Sequence, residues 1–105
     1  MHRGEVWWAD LPKPTGRRPV LLLSRNAAYA VRTSVTVAPI TKNIRSIPTE
    51  VKLGKGDGMP AECVVNLDDI ITVRKSRLSE RLTVLAPEKM EEVRRAIVFA
   101  LDLET

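Results

Sequence analysis

Arg17-Arg18-Pro19-Val20-Leu21-Leu22-Leu23-Ser24 and, further along, Val37-Ala38-Pro39-Ile40-Thr41 are the two stretches that decide the fold. Each is an apolar run too short for a helix and closed off by polar residues, which is the pattern of a strand buried on both faces. Each also carries one reactive polar residue at its edge. Arg18 enters the first strand and Thr41 leaves the second. A guanidinium offers a planar fork of donors matched to phosphate oxygens, so a guanidinium and a hydroxyl brought together suit a phosphate better than other common ligands.

Working outward from these two runs, the chain reads as short strands broken by turn residues. Residues 5–11 form a strand that halts at Pro12-Lys13-Pro14-Thr15-Gly16, where two prolines and a glycine make a loop. Residues 26–30 read as a helical turn, 35–40 as the second buried strand and 42–48 as a polar loop. Residues 49–53 alternate, and Gly54-Lys55-Gly56-Asp57-Gly58 is a turn. Strand patterns recur at 63–67, 70–73 and 82–85. Pro87 then stands where a first helical residue belongs, and Met90, Val93, Ala96, Ile97, Ala100 and Leu101 recur at three and four. The expectation is a mainly β domain, a small barrel capped by one C-terminal helix.

A length of 105 residues fits one domain, expected to span 1–105, with a core that buries roughly two-thirds of the unfolded surface. Repeats and low-complexity stretches are absent from the sequence. No run approaches the roughly eighteen apolar residues of a membrane span, and Met1-His2-Arg3-Gly4-Glu5 lacks the apolar segment of a signal peptide. The reading is a cytoplasmic protein with no membrane partner. The single Cys63 cannot pair within the chain and lacks the Cys and His neighbours of a zinc site, so it is read as a small hydrophobe in a strand.

Charge is more telling when divided. Residues 1–85 hold fourteen Lys or Arg against eight Asp or Glu, whereas residues 86–105 hold three against five. The basic field belongs to the body, and it points to a polyanionic partner, a solvated basic face being the plainer alternative. Trp7 and Trp8 are neighbours on a strand and so face opposite ways. Both cannot enter one core, which leaves one ring either at a protein contact or across the terminal helix.

Arg3-Gly4-Glu5-Val6-Trp7-Trp8, Arg17-Arg18-Pro19-Val20-Leu21, Val37-Ala38-Pro39-Ile40-Thr41, Cys63-Val64-Val65-Asn66-Leu67-Asp68-Asp69-Ile70 and Arg77-Leu78, taken in order, resemble the MazF/PemK family of toxin endoribonucleases nearly end to end. The resemblance implies an SH3-like barrel of the CcdB/MazF/PemK type and a homodimer. It also implies metal-independent, sequence-specific cleavage of single-stranded RNA, with a MazE-like antitoxin whose flexible tail covers the groove. Arg18 matches the family's catalytic arginine and Thr41 its catalytic threonine. Asp68 matches an acidic residue that some members use beside them, while Asn66 and Asp69 stand where members vary. Two departures are the short loop at 12–16, which lacks an acidic residue that some relatives carry, and Lys42 in place of a frequent serine.

RNA can be cut without a metal because its own 2′-hydroxyl attacks the adjacent phosphorus. The protein need only accept a proton, stabilise the added charge and protonate the leaving oxygen. The sequence offers no His, Cys or carboxylate cluster at metal-ligand spacing, and its sole histidine, His2, is terminal, so no cofactor is expected. Arg18 is expected at the scissile phosphate and Thr41 at the phosphate or the attacking hydroxyl. Because arginine stays protonated far above neutrality, Asp68 becomes the candidate proton acceptor. Quieter readings stand beside these: Arg18 in a surface ion pair, Thr41 as a strand end, Asp68 balancing Arg74 or Arg77. Arg17, Lys42, Asn43, Arg45, Asn66, Asp69, Arg74 and Lys75 are the candidates for contacting RNA. A second class of function is a non-catalytic toxin, since CcdB-like proteins share the barrel and poison DNA gyrase. That role does not need the pairing of Arg18 with Thr41.

Overall fold

A computed structural model describes residues 1–103. Glu104 and Thr105, the end of the domain expected over 1–105, lie outside the described residues. The strands are β1 (Glu5–Asp10), β2 (Arg17–Leu22), β3 (Ser34–Thr41), β4 (Glu50–Leu53), β5 (Cys63–Asn66), β6 (Ile71–Arg74) and β7 (Leu78–Val84). The helices are α1 (Ala28–Val31) and α2 (Pro87–Leu101). All pairings are antiparallel and run β4-β5-β3-β2-β1-β7, with β6 joined to β3. The edge strands β4 and β7 are not hydrogen-bonded to each other, so the barrel is open there. The gap is bridged by a side chain: Thr83 Oγ1 donates to the Asp57 carbonyl at 3.0 Å. No helix among the described residues is long and apolar enough to cross a membrane.

The apolar runs of β2 and β3 follow from burial on both faces. Leu21, Ala38 and Ile40 face one core together with Val6, Val51, Leu53, Val65 and Leu67, and α2 closes that core with Val93 and Ala96. Val20, Leu22, Val35 and Val37 face a second core shared with Ala9, Leu11, Tyr29 and Leu78. Alternate residues of one strand thus serve different cores, so Val20–Leu22 and Val37–Ile40 are apolar without interruption. The stripe on α2 runs through Met90, Val93, Ala96, Ile97 and Ala100 as the spacing predicts. Leu101 departs from it. It is the last helical residue and stays 54% exposed, since no described element beyond the helix covers it.

Strand β7 begins at Leu78, four residues ahead of the strand read from the sequence. Ser79, Glu80 and Arg81 are exposed on an edge strand and carry no apolar signal, while two register shifts against β1 also break the alternation. The adjacent tryptophans separate as their spacing requires. Trp7 packs on the second core, and its indole N–H donates to Glu5 Oε1 at 2.8 Å. Trp8 faces an open groove.

Glu5 is a buried carboxylate at the start of β1. Burial by itself pushes its pKa up. The Trp7 indole, a backbone N–H at His2, the N-terminal ammonium and the Arg81 guanidinium together outweigh burial and hold it below the ordinary 4.5. A carboxyl depressed in the folded state contributes stability that is present above its ordinary pKa and is lost as pH falls through the folded value. The melting temperature should therefore drop as pH falls below 4.5, and Glu5→Gln should flatten that limb of the profile. Superimposable pH profiles for the two chains would remove Glu5 from the acid sensitivity.

Candidate active groove

The groove arises where β3 changes partners. Val37, Ala38 and Pro39 pair with Leu22, Leu21 and Val20 of β2, whereas Ile40 and Thr41 pair with Val65 and Val64 of β5. Pro39 has no N–H to extend the β2 ladder, so the pairing ends there and the two strands part. Arg18 lies two residues before Val20 on β2 and Thr41 two residues after Pro39 on β3, so both stand at the mouth where the strands part. Both line a cavity of about 390 Å³, with Trp8, Arg17, Lys42 and Asn43 around the polar side. Pro19, Ile40, Met59, Pro60, Ala61 and Cys63 make the apolar wall.

The two adjacent arginines are in opposite electrostatic states. Arg17 is held by Glu80 at 3.3 Å, by Asp10 at 3.7 Å and by the Ser79 hydroxyl at 3.1 Å, and its guanidinium lies 5.0 Å from the centroid of the Trp8 ring. Arg18 pairs with no carboxylate among the described residues, and its buried Nε has no hydrogen-bond partner. An unpaired buried donor costs about 1–3 kcal/mol, a cost the fold carries at the edge of this cleft. Thr41 Oγ1 accepts the Asn43 backbone N–H at 3.1 Å, which fixes the hydroxyl and leaves its own proton to donate. Burial, helped by the Asp57 charge, pushes the Cys63 thiol above its ordinary 9.0 despite Lys42 nearby. It therefore remains protonated and is no nucleophile.

The structure separates the remaining sequence candidates from this groove. Arg45 lies on the loop after β3, where its backbone N–H and that of Ser46 donate to Glu50 Oε1 at 2.9 and 3.1 Å, and its side chain does not line the cavity. Asp68 sits in the turn after β5, beyond the end of that strand opposite to Cys63. Its carboxylate accepts the Thr49 hydroxyl at 2.6 Å, and its N–H donates to Asn66 Oδ1 at 2.9 Å. Asn66 in turn donates to Asp69 at 2.9 Å. The three residues Asn66, Asp68 and Asp69 tie one turn together, and none lines the groove. Asp68 also makes no ion pair with Arg74 or Arg77. Arg74 pairs with Ser34, at the far end of β3 from Thr41, and Lys75 Nζ donates to the Tyr29 carbonyl at 2.9 Å. They do not flank the groove, because the β3–β6 register carries them away from it. Among the described residues no three His, Cys, Asp or Glu side chains gather as a metal site.

Sequence reasoning passed over the wall made by Met59, Pro60 and Ala61. These residues reach the groove only because Gly58, at φ +89°, turns the chain back after the 54–58 segment. In the sequence that turn is marked by Gly54, Gly56, Asp57 and Gly58 together.

A family model described as PemK-like, MazF-like toxin of type II toxin-antitoxin system matches residues 2–101. The chain is 42% identical over 101 residues to a probable endoribonuclease MazF5 of Mycobacterium tuberculosis, covering 95% of this chain and 92% of that one. It is 37% identical over 113 residues to an endoribonuclease MazF of Staphylococcus saprophyticus, covering 100% and 94%. Among solved structures, a Mycobacterium tuberculosis toxin MazF-mt6 superimposes with a TM-score of 0.89 at 32% identity, covering 96% of this chain and 99% of the other. An endoribonuclease in complex with its cognate antitoxin, from a mycobacterial species, gives 0.90 at 32% identity, covering 100% and 98%.

Proposed function

This chain belongs to the PemK-like, MazF-like toxins of type II toxin–antitoxin systems, and from that premise we propose that it is an endoribonuclease that cuts single-stranded RNA at short motifs without a metal ion. The observation that carries the reading is that the unneutralised Arg18 and the Thr41 hydroxyl line one groove. The 2′-oxygen attacks the adjacent phosphorus, its proton passes to water, and the bond from phosphorus to the 5′-oxygen breaks. The leaving oxygen takes a proton from the guanidinium or from water, which gives a 2′,3′-cyclic phosphate and a 5′-hydroxyl.

Arg18 stabilises the charge that builds on the phosphoryl oxygens, and Thr41 holds one of them by donation. The apolar wall strengthens that interaction, because a guanidinium acts more strongly where water is excluded. Among the described residues no carboxylate or imidazole lines the groove, so charge stabilisation rather than a strong protein base supplies the larger share of the catalysis. Asp68, placed in the turn after β5, supports that turn in this reading and takes no proton from RNA.

Three of the relatives named above carry the name endoribonuclease, one of them as a probable one and another solved with its cognate antitoxin. That leaves the gyrase-binding alternative without support and makes a MazE-like antitoxin and a homodimer the partners that fit this chain. Trp8, at the rim of the groove and stacked by Arg17, is placed to meet RNA bases or a partner segment. The test is incubation of the pure protein with long single-stranded RNA in a chelator. Discrete fragments ending in cyclic phosphate are expected, and RNA left whole under those conditions but cut on addition of a divalent ion would overturn the metal-independent route.

A further inference from the structure

At the end of β3 remote from the groove the sheet carries a second concave site. Ser34 and Thr36 share one face of β3, and the β6 residues opposite them, Arg74 and Thr72, share that face too. Ser24, Arg25, Arg32, Ser34, Thr36 and Thr72 line a cavity of about 220 Å³, and no carboxylate stands among its lining residues. Ser24 Oγ accepts the Thr36 backbone N–H at 2.8 Å and keeps its own proton to donate. The side chains of Arg25, Arg32 and Arg74 have no carboxylate partner among the described residues. Arg17, Arg81, Arg94 and Arg95, by contrast, sit against carboxylates.

Four hydroxyls and two unneutralised guanidiniums around one small hollow suit a tetrahedral oxyanion, because each of these side chains can donate and none carries negative charge. We propose that this cavity is a second phosphate-binding site, holding a backbone phosphate of the RNA strand outside the segment being cut. The inference rests on the endoribonuclease reading above. Ser34 and Thr41 stand at the two ends of the eight-residue β3, which is about 23 Å of strand. The RNA is therefore gripped at two separated places.

The double variant Arg25→Ala/Arg32→Ala, with both positions exposed, is compared with the wild type on a long single-stranded RNA and on a short oligoribonucleotide that spans only the cut site. The ratio of kcat/KM for long over short RNA should fall roughly tenfold, as loss of charge-assisted hydrogen bonds requires. The slope of log affinity for the long RNA against log salt should fall by about 0.7 for each phosphate that is no longer neutralised. Thr72→Val should shift the same ratio in the same direction by less. An unchanged ratio, or equal loss on both RNAs, overturns the second site. If the double variant instead loses affinity for a polyglutamate peptide while its RNA ratio holds, the cavity takes an acidic protein segment and the assignment to RNA is overturned. A wild-type chain that leaves both RNAs whole fails the cleavage reading itself, and the wild-type lane alone reports that failure.

Discussion

Arg18→Ala should leave RNA uncut, with the rate reduced by about a hundredfold or more, the typical loss when one donor to a developing oxyanion is removed. The protein should stay folded. The Arg18 Nε is buried without an acceptor, and deleting an unpaired donor relieves a cost of about 1–3 kcal/mol that offsets the lost packing of the side-chain stem. Arg18→Lys should recover only part of the activity, because an ammonium supplies the charge without the planar fork. Arg17→Ala, one residue away, should cost less, since that guanidinium is already engaged by Asp10, Ser79 and Glu80. The measurement is the rate of cleavage of a defined RNA alongside a thermal melt of each variant. An Arg18→Ala chain that cuts at the wild-type rate removes the guanidinium from the reaction.

Gly58→Ala should be the most damaging small substitution in the chain. Gly58 adopts φ +89°, and a Cβ there would lie 2.8 Å from Thr83 Cβ and closer still to the Thr83 hydroxyl. The left-handed backbone costs roughly 1–2 kcal/mol for a residue bearing a Cβ, and overpacking adds about 1–3 kcal/mol, giving a loss of about 3 kcal/mol. For a domain of this size that is a fall in melting temperature of about 12–24 °C. Thr83→Gly in the same chain should return the packing share and not the backbone share, so the double variant lands between the two. Because Gly58 delivers Met59, Pro60 and Ala61 to the groove wall, RNA cleavage should decline at temperatures where the protein is still folded. A melting temperature within a degree or two of wild type would show that β7 and the 54–58 segment are free to move apart.

The parts of the molecule that could be read from the sequence were those where local chemistry suffices. The continuous apolar runs of β2 and β3 imply strands covered on both sides, and two cores cover them. Pro87 with its three-and-four spacing implies an amphipathic helix, and α2 begins there. Arg18 and Thr41 share a cavity because they lie at the ends of strands adjacent in sequence. What failed depends on pairing register, which local sequence does not encode. Arg74 and Lys75 read as loop cations near the site, yet the register Ser34↔Arg74 sends them to the other end of β3. Asp68 reads as a nearby carboxylate, yet β5 carries it past the groove into a turn where Thr49 and Asn66 hold it. The polar start of β7 has no period to detect, because an edge strand need bury little of its outer face.

The pairing of β1 with β7 has a consequence for when activity can appear. Glu5 stands opposite Val84, and Arg17 is fastened to Ser79 and Glu80. A nascent chain that has not yet delivered residues 78–84 therefore has an unfinished sheet edge beside Trp8 and no anchor for the first arginine. Folding that relies on contacts so distant in sequence is slow and completes late. The rim of the groove around Trp8 and Arg17 is therefore finished only after residues 78–84 have emerged from the ribosome and joined β1.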